Sequence, residues 1–262
     1  MFKMKYEITP MYLTPNTKRR PSEPMDKIQF VVAHDTGNPN STAIGNVRYY
    51  ENSNNVDFAS AQLFVDDRQI IECIPTGLIN NEIPEKAWHV VYNTKVDNQL
   101  FGCEANDAAI GIEYCFGDNI NAQEAYERFV WVTAYICYKY NLDPKTKITG
   151  HHILDPSRKI DPKNGLKKSL GITYEQYLLD VVKEYENCTN EVEVLSNEGV
   201  EEEMKLTQNE WSMLGNSIDA WFKKGWITDY KWATLAYSGE LTLSQLAWLQ
   251  TIVFTRQNGI EV

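Results

Sequence analysis

The chain has 262 residues, 43% hydrophobic and 23% charged, which is ordinary for a soluble globular sequence and enough for one good core plus a small second domain. No run approaches the roughly 18 apolar residues of a membrane-spanning helix, and the segment from Met1 to Glu7 lacks the apolar centre of a secretion signal. The formal net charge is −11, and Glu191, Glu193, Glu198, Glu201, Glu202 and Glu203 hold six of those charges; the mildly acidic remainder argues against nucleic acid as a partner.

Residues 1–27 carry Pro10, Pro15, Pro21 and Pro24 and read as an extended lead-in, with Lys18-Arg19-Arg20 as a solvated basic face. Ile28 to Ala33 is an apolar run of strand length that delivers His34 at its end. A turn-rich loop follows, then a helix over Thr42–Asn52, with Ile44, Val47 and Tyr50 at helical spacing and Ser41 as its cap. Phe58–Val65 and Gln69–Ile74 are expected to pair as a hairpin around Asp66-Asp67-Arg68. Trp88-His89 follows a turn; it reads equally as a Trp packed on the sheet with a His bonding a backbone carbonyl, or as an aromatic platform for sugar. Ala108–Tyr114 is a second buried strand, and it sets Glu113 among Ile110, Ile112 and Tyr114. A carboxylate there is costly unless it is paired or functional.

The clearest helix spans Asn121–Tyr140 and stops before Asp143-Pro144. Gly150 to Pro162 then forms a loop bracketed by His151 and Asp161, with Arg158 and Lys159 between them. A further amphipathic helix over Thr173–Glu186 closes the first domain, residues 1–187. Residues 188–203 read as an acidic linker without periodicity. The tail, 204–262, holds five of the seven tryptophans and reads as three helices: one after the capping-box pair Thr207 and Glu210 that stops at Gly225, then Asp229–Tyr237 and Thr242–Gln257. The five cysteines contain no CxxC pair and read as reduced thiols of a protein made in the cytoplasm.

Hydrolytic zinc takes three protein N, O or S ligands and leaves the fourth position to water. His34, His151 and Asp161 supply such a set. The segment Val31-Val32-Ala33-His34-Asp35-Thr36-Gly37-Asn38, followed in order by Glu113 and Gly150 to Pro162, resembles the zinc-dependent N-acetylmuramoyl-L-alanine amidases. That superfamily takes in amidase-type phage lysozymes, bacterial recycling amidases and animal peptidoglycan-recognition proteins. The resemblance implies an α/β fold, a central mixed sheet flanked by helices, to which the tail adds a small all-α module. It also selects His151 over His152 as the ligand, makes Glu113 the general base and gives Lys159 the oxyanion. Trp88 and His89 are then expected to line the substrate cleft, and His152 to lie in the cleft or to support the ligands from behind. The family's strand often carries a His after Ser-Ala, or a catalytic Tyr; here the chain reads Ser60-Ala61-Gln62, so that group is missing.

The implied function is cleavage of the amide between N-acetylmuramic acid and L-alanine in bacterial peptidoglycan, most like a phage or prophage endolysin. Without a secretion signal, the protein would reach the wall through a membrane pore made by another protein. Two alternatives stand beside this: a non-catalytic peptidoglycan-binding protein, and an intracellular amidase recycling muropeptides. The Trp-rich tail is expected to bind wall or to self-associate. An internal start at Met204, after Glu201-Glu202-Glu203, could supply free copies of the 204–262 module.

Overall fold

A computed structural model of the chain describes residues 1–92, 95–189 and 205–259. They divide into two units, Met1–Glu191 and Val192–Val262. The acidic linker and Met204 lie outside the described residues, apart from Cys188 and Thr189, which end a helix.

The first unit is built on β1 (Ile8–Pro10), β2 (Phe30–Asp35), β3 (Leu63–Val65), β4 (Ile70–Glu72), β5 (Ala109–Tyr114) and β6 (Ile148–Gly150). They form one sheet in the order β1-β4-β3-β5-β2-β6. Only β3 and β4 pair antiparallel; every other neighbouring pair is parallel. This is the mixed sheet expected from the sequence. β2 is buried along its whole length, which is why Phe30-Val31-Val32-Ala33 reads as an unbroken apolar run and not as an alternation.

The helices are α1 (Ala43–Asn52), α2 (Val96–Phe101), α3 (Ala105–Ala108), α4 (Ala122–Lys139), α5 (His151–Leu154), α6 (Lys163–Leu170) and α7 (Tyr174–Thr189). One face of the sheet presents Val31, Ala33, Ile110, Ile112 and Tyr114 to α4, with Phe129 stacked on Tyr114 at 5.1 Å and on Tyr177 of α7 at 4.8 Å. The opposite face packs Phe64 and Ile71 against Ala43 and Val47 of α1. Both faces are thus covered, as parallel strands require.

Several local expectations are corrected. The lead-in does not merely lie over the domain: Ile8–Pro10 joins the sheet edge parallel to β4. The basic triplet is not a solvated face, since Arg19 is 3% exposed and Arg20 makes a two-pronged ion pair with Glu85, both bonds 2.8 Å. Both guanidiniums spend their donors on fixed acceptors, and burial of a cation is tolerable only on those terms. Thr42, not Ser41, caps α1; its side chain accepts from Gly45 N, while Ser41 Oγ donates to the Asn38 carbonyl. The strand drawn from Phe58 begins only at Leu63, because Ser60 N instead bonds the Trp88 carbonyl.

The second unit comprises α8 (Gln208–Lys223), α9 (Lys231–Ser238) and α10 (Leu243–Gln257). Thr207 and Glu210 form the capping box read from the sequence, and Thr242 with Gln245 form another. α8 ends in a Schellman turn: Gly225 has φ +71°, its N–H bonds Phe222 O, and Trp226 N–H bonds Trp221 O. Trp211, Ile218, Ile227, Ala233, Leu249 and Val253 fill a core of their own. Gly215 admits the Tyr237 ring, which a Cβ would meet at 2.4 Å.

Candidate active site

The candidate ligands arrive from the C-terminal ends of two neighbouring parallel strands. β2 ends with His34 and Asp35, and β6 leads straight into His151 at the first position of α5. Open parallel sheets place their clefts at this edge, where strands fix a side chain and the following loops leave room for a ligand. The chain from α5 returns to put the Asp161 carboxylate between the two imidazoles. His34 Nδ1 and His151 Nδ1 each lie 3.1 Å from Asp161 Oδ2. Among the described residues these three form the one group of His, Cys, Asp or Glu whose donor atoms gather, all within 4.8 Å of one another.

The tautomers follow from a chain of bonds. The Ala109 carbonyl can only accept, and His89 Nε2 sits 3.3 Å from it, so that nitrogen carries the proton. Neutral His89 then accepts at Nδ1, which lies 3.2 Å from His34 Nε2. His34 in turn bears its proton on Nε2, leaving the Nδ1 lone pair facing the Asp161 carboxylate. A proton closes that contact only if His34 becomes charged, and burial pushes its pKa down to about 4. Burial likewise holds His89 well below the usual range, with His34 and His151 beside it adding to the effect. A lone pair and a carboxylate at this distance call for a cation between them. Two imidazoles and one carboxylate, three ligands in all, match catalytic zinc in number and chemistry. Burial by itself would raise the Asp161 carboxyl, but the imidazoles against it, His151 first and then His34, hold it well below the carboxylate range.

Glu113 stands beside His34 in the parallel register of β5 and β2, so the two side chains share a face. It is half-buried, and its Oε2 is sealed without a hydrogen-bond partner among the described residues. Burial, then the charges of Asp161 and Asp35, push its pKa well above the ordinary value. His34, His151, Asp161, Glu113 and Lys159 all line one open cavity of about 1010 Å³. Trp88 lines it too, edge-on to Phe58 at 6.1 Å and to Tyr92 at 5.8 Å.

Of the other residues expected along the cleft, His89 does border the cavity; it is 7% exposed and spends its ring on His34 and Ala109, so it orients a candidate ligand. Gly111 makes this possible, because a Cβ there would lie 2.8 Å from the His89 ring. His152 is not among the cavity-lining residues. Its Nδ1 donates to the Asp161 carbonyl at 3.1 Å, and its ring meets Tyr174 edge-on at 4.8 Å. Successive residues of a helical turn point about 100° apart, so His151 and His152 cannot both face the cavity.

Other site residues escaped the sequence. Asp35 accepts from Gly37 N at 2.9 Å and from Gly165 N at 2.8 Å, clamping the end of β2 to the start of α6. Its place directly after His34 was the available signal. Asn106 accepts from both His89 N and Val90 N at 3.0 Å, and nothing in its local sequence marks it. Gln62, where the family often has a His, accepts from Gly111 N at 2.8 Å and so ties β3 to β5.

The N-acetylmuramoyl-L-alanine amidase family model (Amidase_2) matches residues 24–164. No curated protein matches the chain. Among solved structures, the catalytic domain of XlyA is 20% identical with TM-score 0.52, covering 67% of this chain and 99% of its own. A mutant endolysin from Bacillus subtilis, also 20% identical, has TM-score 0.53 and covers 68% and 99%. The hydrolase AmiA of Staphylococcus aureus, solved with its ligand, is 20% identical with TM-score 0.54 and covers 70% and 85%. At such identities the likeness is one of fold.

Proposed function

The chain belongs to the N-acetylmuramoyl-L-alanine amidase family, and from that membership we propose that it is a zinc hydrolase that cleaves the bond between N-acetylmuramic acid and L-alanine in peptidoglycan. The observation that carries the proposal is the His34 and His151 Nδ1 pair converging on Asp161 Oδ2 with Glu113 beside them in one cavity. His34, His151 and Asp161 would hold the zinc, which supplies Lewis-acid activation of water and carbonyl. Glu113 takes the proton of the attacking water; burial makes it a stronger base than an exposed carboxylate, which that task requires. Lys159 donates to the oxygen of the lactyl carbonyl as charge develops there. The C–N bond then breaks, the proton passes from Glu113 to the leaving amine, and the products are the muramic acid carboxylate and a free L-alanine amine.

Retention of the whole donor set together with Glu113 and Lys159 favours an enzyme over a non-catalytic wall-binding protein. Digestion of purified muropeptides by the zinc-loaded protein tests this: mass spectrometry should find the two products above. A digest that yields only cleaved glycan or cleaved peptide cross-links would overturn it.

The second unit supports an endolysin over a recycling enzyme, as a wall-targeting or self-associating module; Trp248 is 52% and Phe254 68% exposed. We propose delivery to the wall through a pore made by another protein; no helix among the described residues is long and apolar enough to cross a membrane. Whether copies of 204–262 are co-produced from Met204 is read by mass spectrometry and light scattering of the wild type and Met204→Leu. A lone full-length monomer rules out both co-production and assembly.

A further inference from the structure

Arg19 of the lead-in precedes the stretch matched by the family model, residues 24–164, and packs against Tyr50 and Ala59, both of which line the cavity. Arg19 is 3% exposed. Its Nε donates to the Ser53 carbonyl at 3.4 Å, its Nη2 to Ser53 Oγ at 3.1 Å, and its Nη1 to the Ala59 carbonyl. The guanidinium carbon also lies 4.5 Å from the centre of the Tyr50 ring. One buried cation therefore joins the C-cap of α1, the loop ahead of β3 and the face of Tyr50. Arginine suits this place because its planar fork stacks on an aromatic ring while its edges donate; a lysine cannot do both.

Tyr50 is set by the sheet as well. His34 on β2 pairs with Glu113 on β5, and Glu113 pairs with Phe64 on β3, so the three side chains form a row on one face. Tyr50 packs edge-on against Phe64 at 5.1 Å, at the end of that row next to Glu113, and lines the same cavity as Glu113 and His34. Its hydroxyl has no hydrogen-bond partner among the described residues. The strand position where this family often carries a His or Tyr holds Ala61-Gln62 here, with Gln62 committed to Gly111.

We propose that Tyr50 donates a hydrogen bond from its phenol to the bound muramyl peptide beside Glu113, and that Arg19 is the positioning residue that fixes Tyr50 for this contact. The proposal rests on the amidase reading above. Burial, with Glu113 nearby, keeps the phenol protonated and thus a donor.

The test uses the full-length chain as wild type, Tyr50→Phe, Arg19→Lys, Arg19→Met and the Arg19→Met/Tyr50→Phe double variant. Steady-state cleavage of muramyl peptides is measured on zinc-loaded protein, and muramyl dipeptide affinity on metal-free protein by calorimetry. Tyr50→Phe is expected to lower both kcat/KM and affinity about tenfold with zinc content and melting temperature unchanged, the size of one hydrogen bond. Arg19→Met and Arg19→Lys should show a similar loss, and the double variant should be no worse than the larger single loss, because Arg19 acts through Tyr50. Should Arg19→Met fail to fold, Arg19→Lys and Tyr50→Phe carry the comparison. Wild-type behaviour of Tyr50→Phe, full activity in Arg19→Lys, or losses that multiply in the double variant would overturn the proposal. A wild type that binds muramyl dipeptide through Tyr50 yet cleaves nothing overturns the amidase reading alone.

Discussion

At the scale of residues, the site depends on which nitrogen carries which proton. The run from the Ala109 carbonyl through His89 to His34 leaves one lone pair pointing at Asp161. Replacing His34, His151 or Asp161 by Ala should therefore abolish stoichiometric zinc, read by metal analysis of the purified variants. His152→Ala should keep its metal. His89→Ala is expected to bind zinc about 10- to 100-fold more weakly, since an unoriented ligand must be ordered on binding; an unchanged dissociation constant in a chelator competition would remove His89 from this role. Glu113→Gln should keep the metal and lose about 10²-fold or more in kcat, together with the fall in rate on acidification that a raised carboxyl pKa produces.

A second buried carboxyl lies away from the cavity and offers a test through stability. Glu72 is fully buried on β4, accepts from Thr76 N and Oγ1, and has its pKa raised to about 7, mainly by burial. A carboxyl raised on folding holds its proton in the native state while the unfolded chain releases it. Its contribution is therefore full below the unfolded pKa, near 4.5, and is lost as pH rises through about 7. Glu72→Gln, which can still accept from Thr76, should be more stable than wild type at pH 8 by on the order of 2 kcal/mol, with the difference vanishing near pH 4. Urea denaturation at both pH values measures it, and a pH-independent difference would contradict it.

At the scale of elements, glycine and cap positions carry the packing. Gly111 lies mid-strand in β5, and the His89 ring occupies the space a Cβ would need. Gly111→Ala should displace that ring and weaken zinc binding by about tenfold or more, close to the His89→Ala effect, while β5 keeps its pairing. In the second unit, Thr207 and Thr242 each close a capping box. Replacing either by Ala should cost about 1 kcal/mol. Trp fluorescence during urea unfolding will report it, because five of the seven tryptophans belong to this unit.

For the molecule as a whole, two units with separate cores should respond separately to metal. Zinc at about 1,000 times its dissociation constant adds roughly 4 kcal/mol to the unit that binds it. Calorimetry with and without a chelator should show the first unit's transition fall and the second unit's hold. A chelator-insensitive scan would show that the His34, His151 and Asp161 cluster holds no tight metal.

Much of this was legible in the chain. The apolar run ending on His34, the helix over residues 122–139, the Thr207 and Glu210 cap and the order His, Glu, His, Asp all depend on local period or fixed spacing, which a sequence displays directly. What needed tertiary structure was every relation between distant segments. The resemblance already chose His151 over His152 as the ligand, but the physical reason lies in where α5 leaves β6, since one residue of helix turns a side chain by about 100°. The solvated look of Lys18-Arg19-Arg20 came from composition, whereas the burial of Arg19 comes from acceptors at Ser53 and Ala59 more than 30 residues away. Charge and hydropathy are properties of a residue, but desolvation and hydrogen-bond partners are properties of a place. The sequence therefore named the groups able to do the chemistry, and only the folded sheet decided which of them meet.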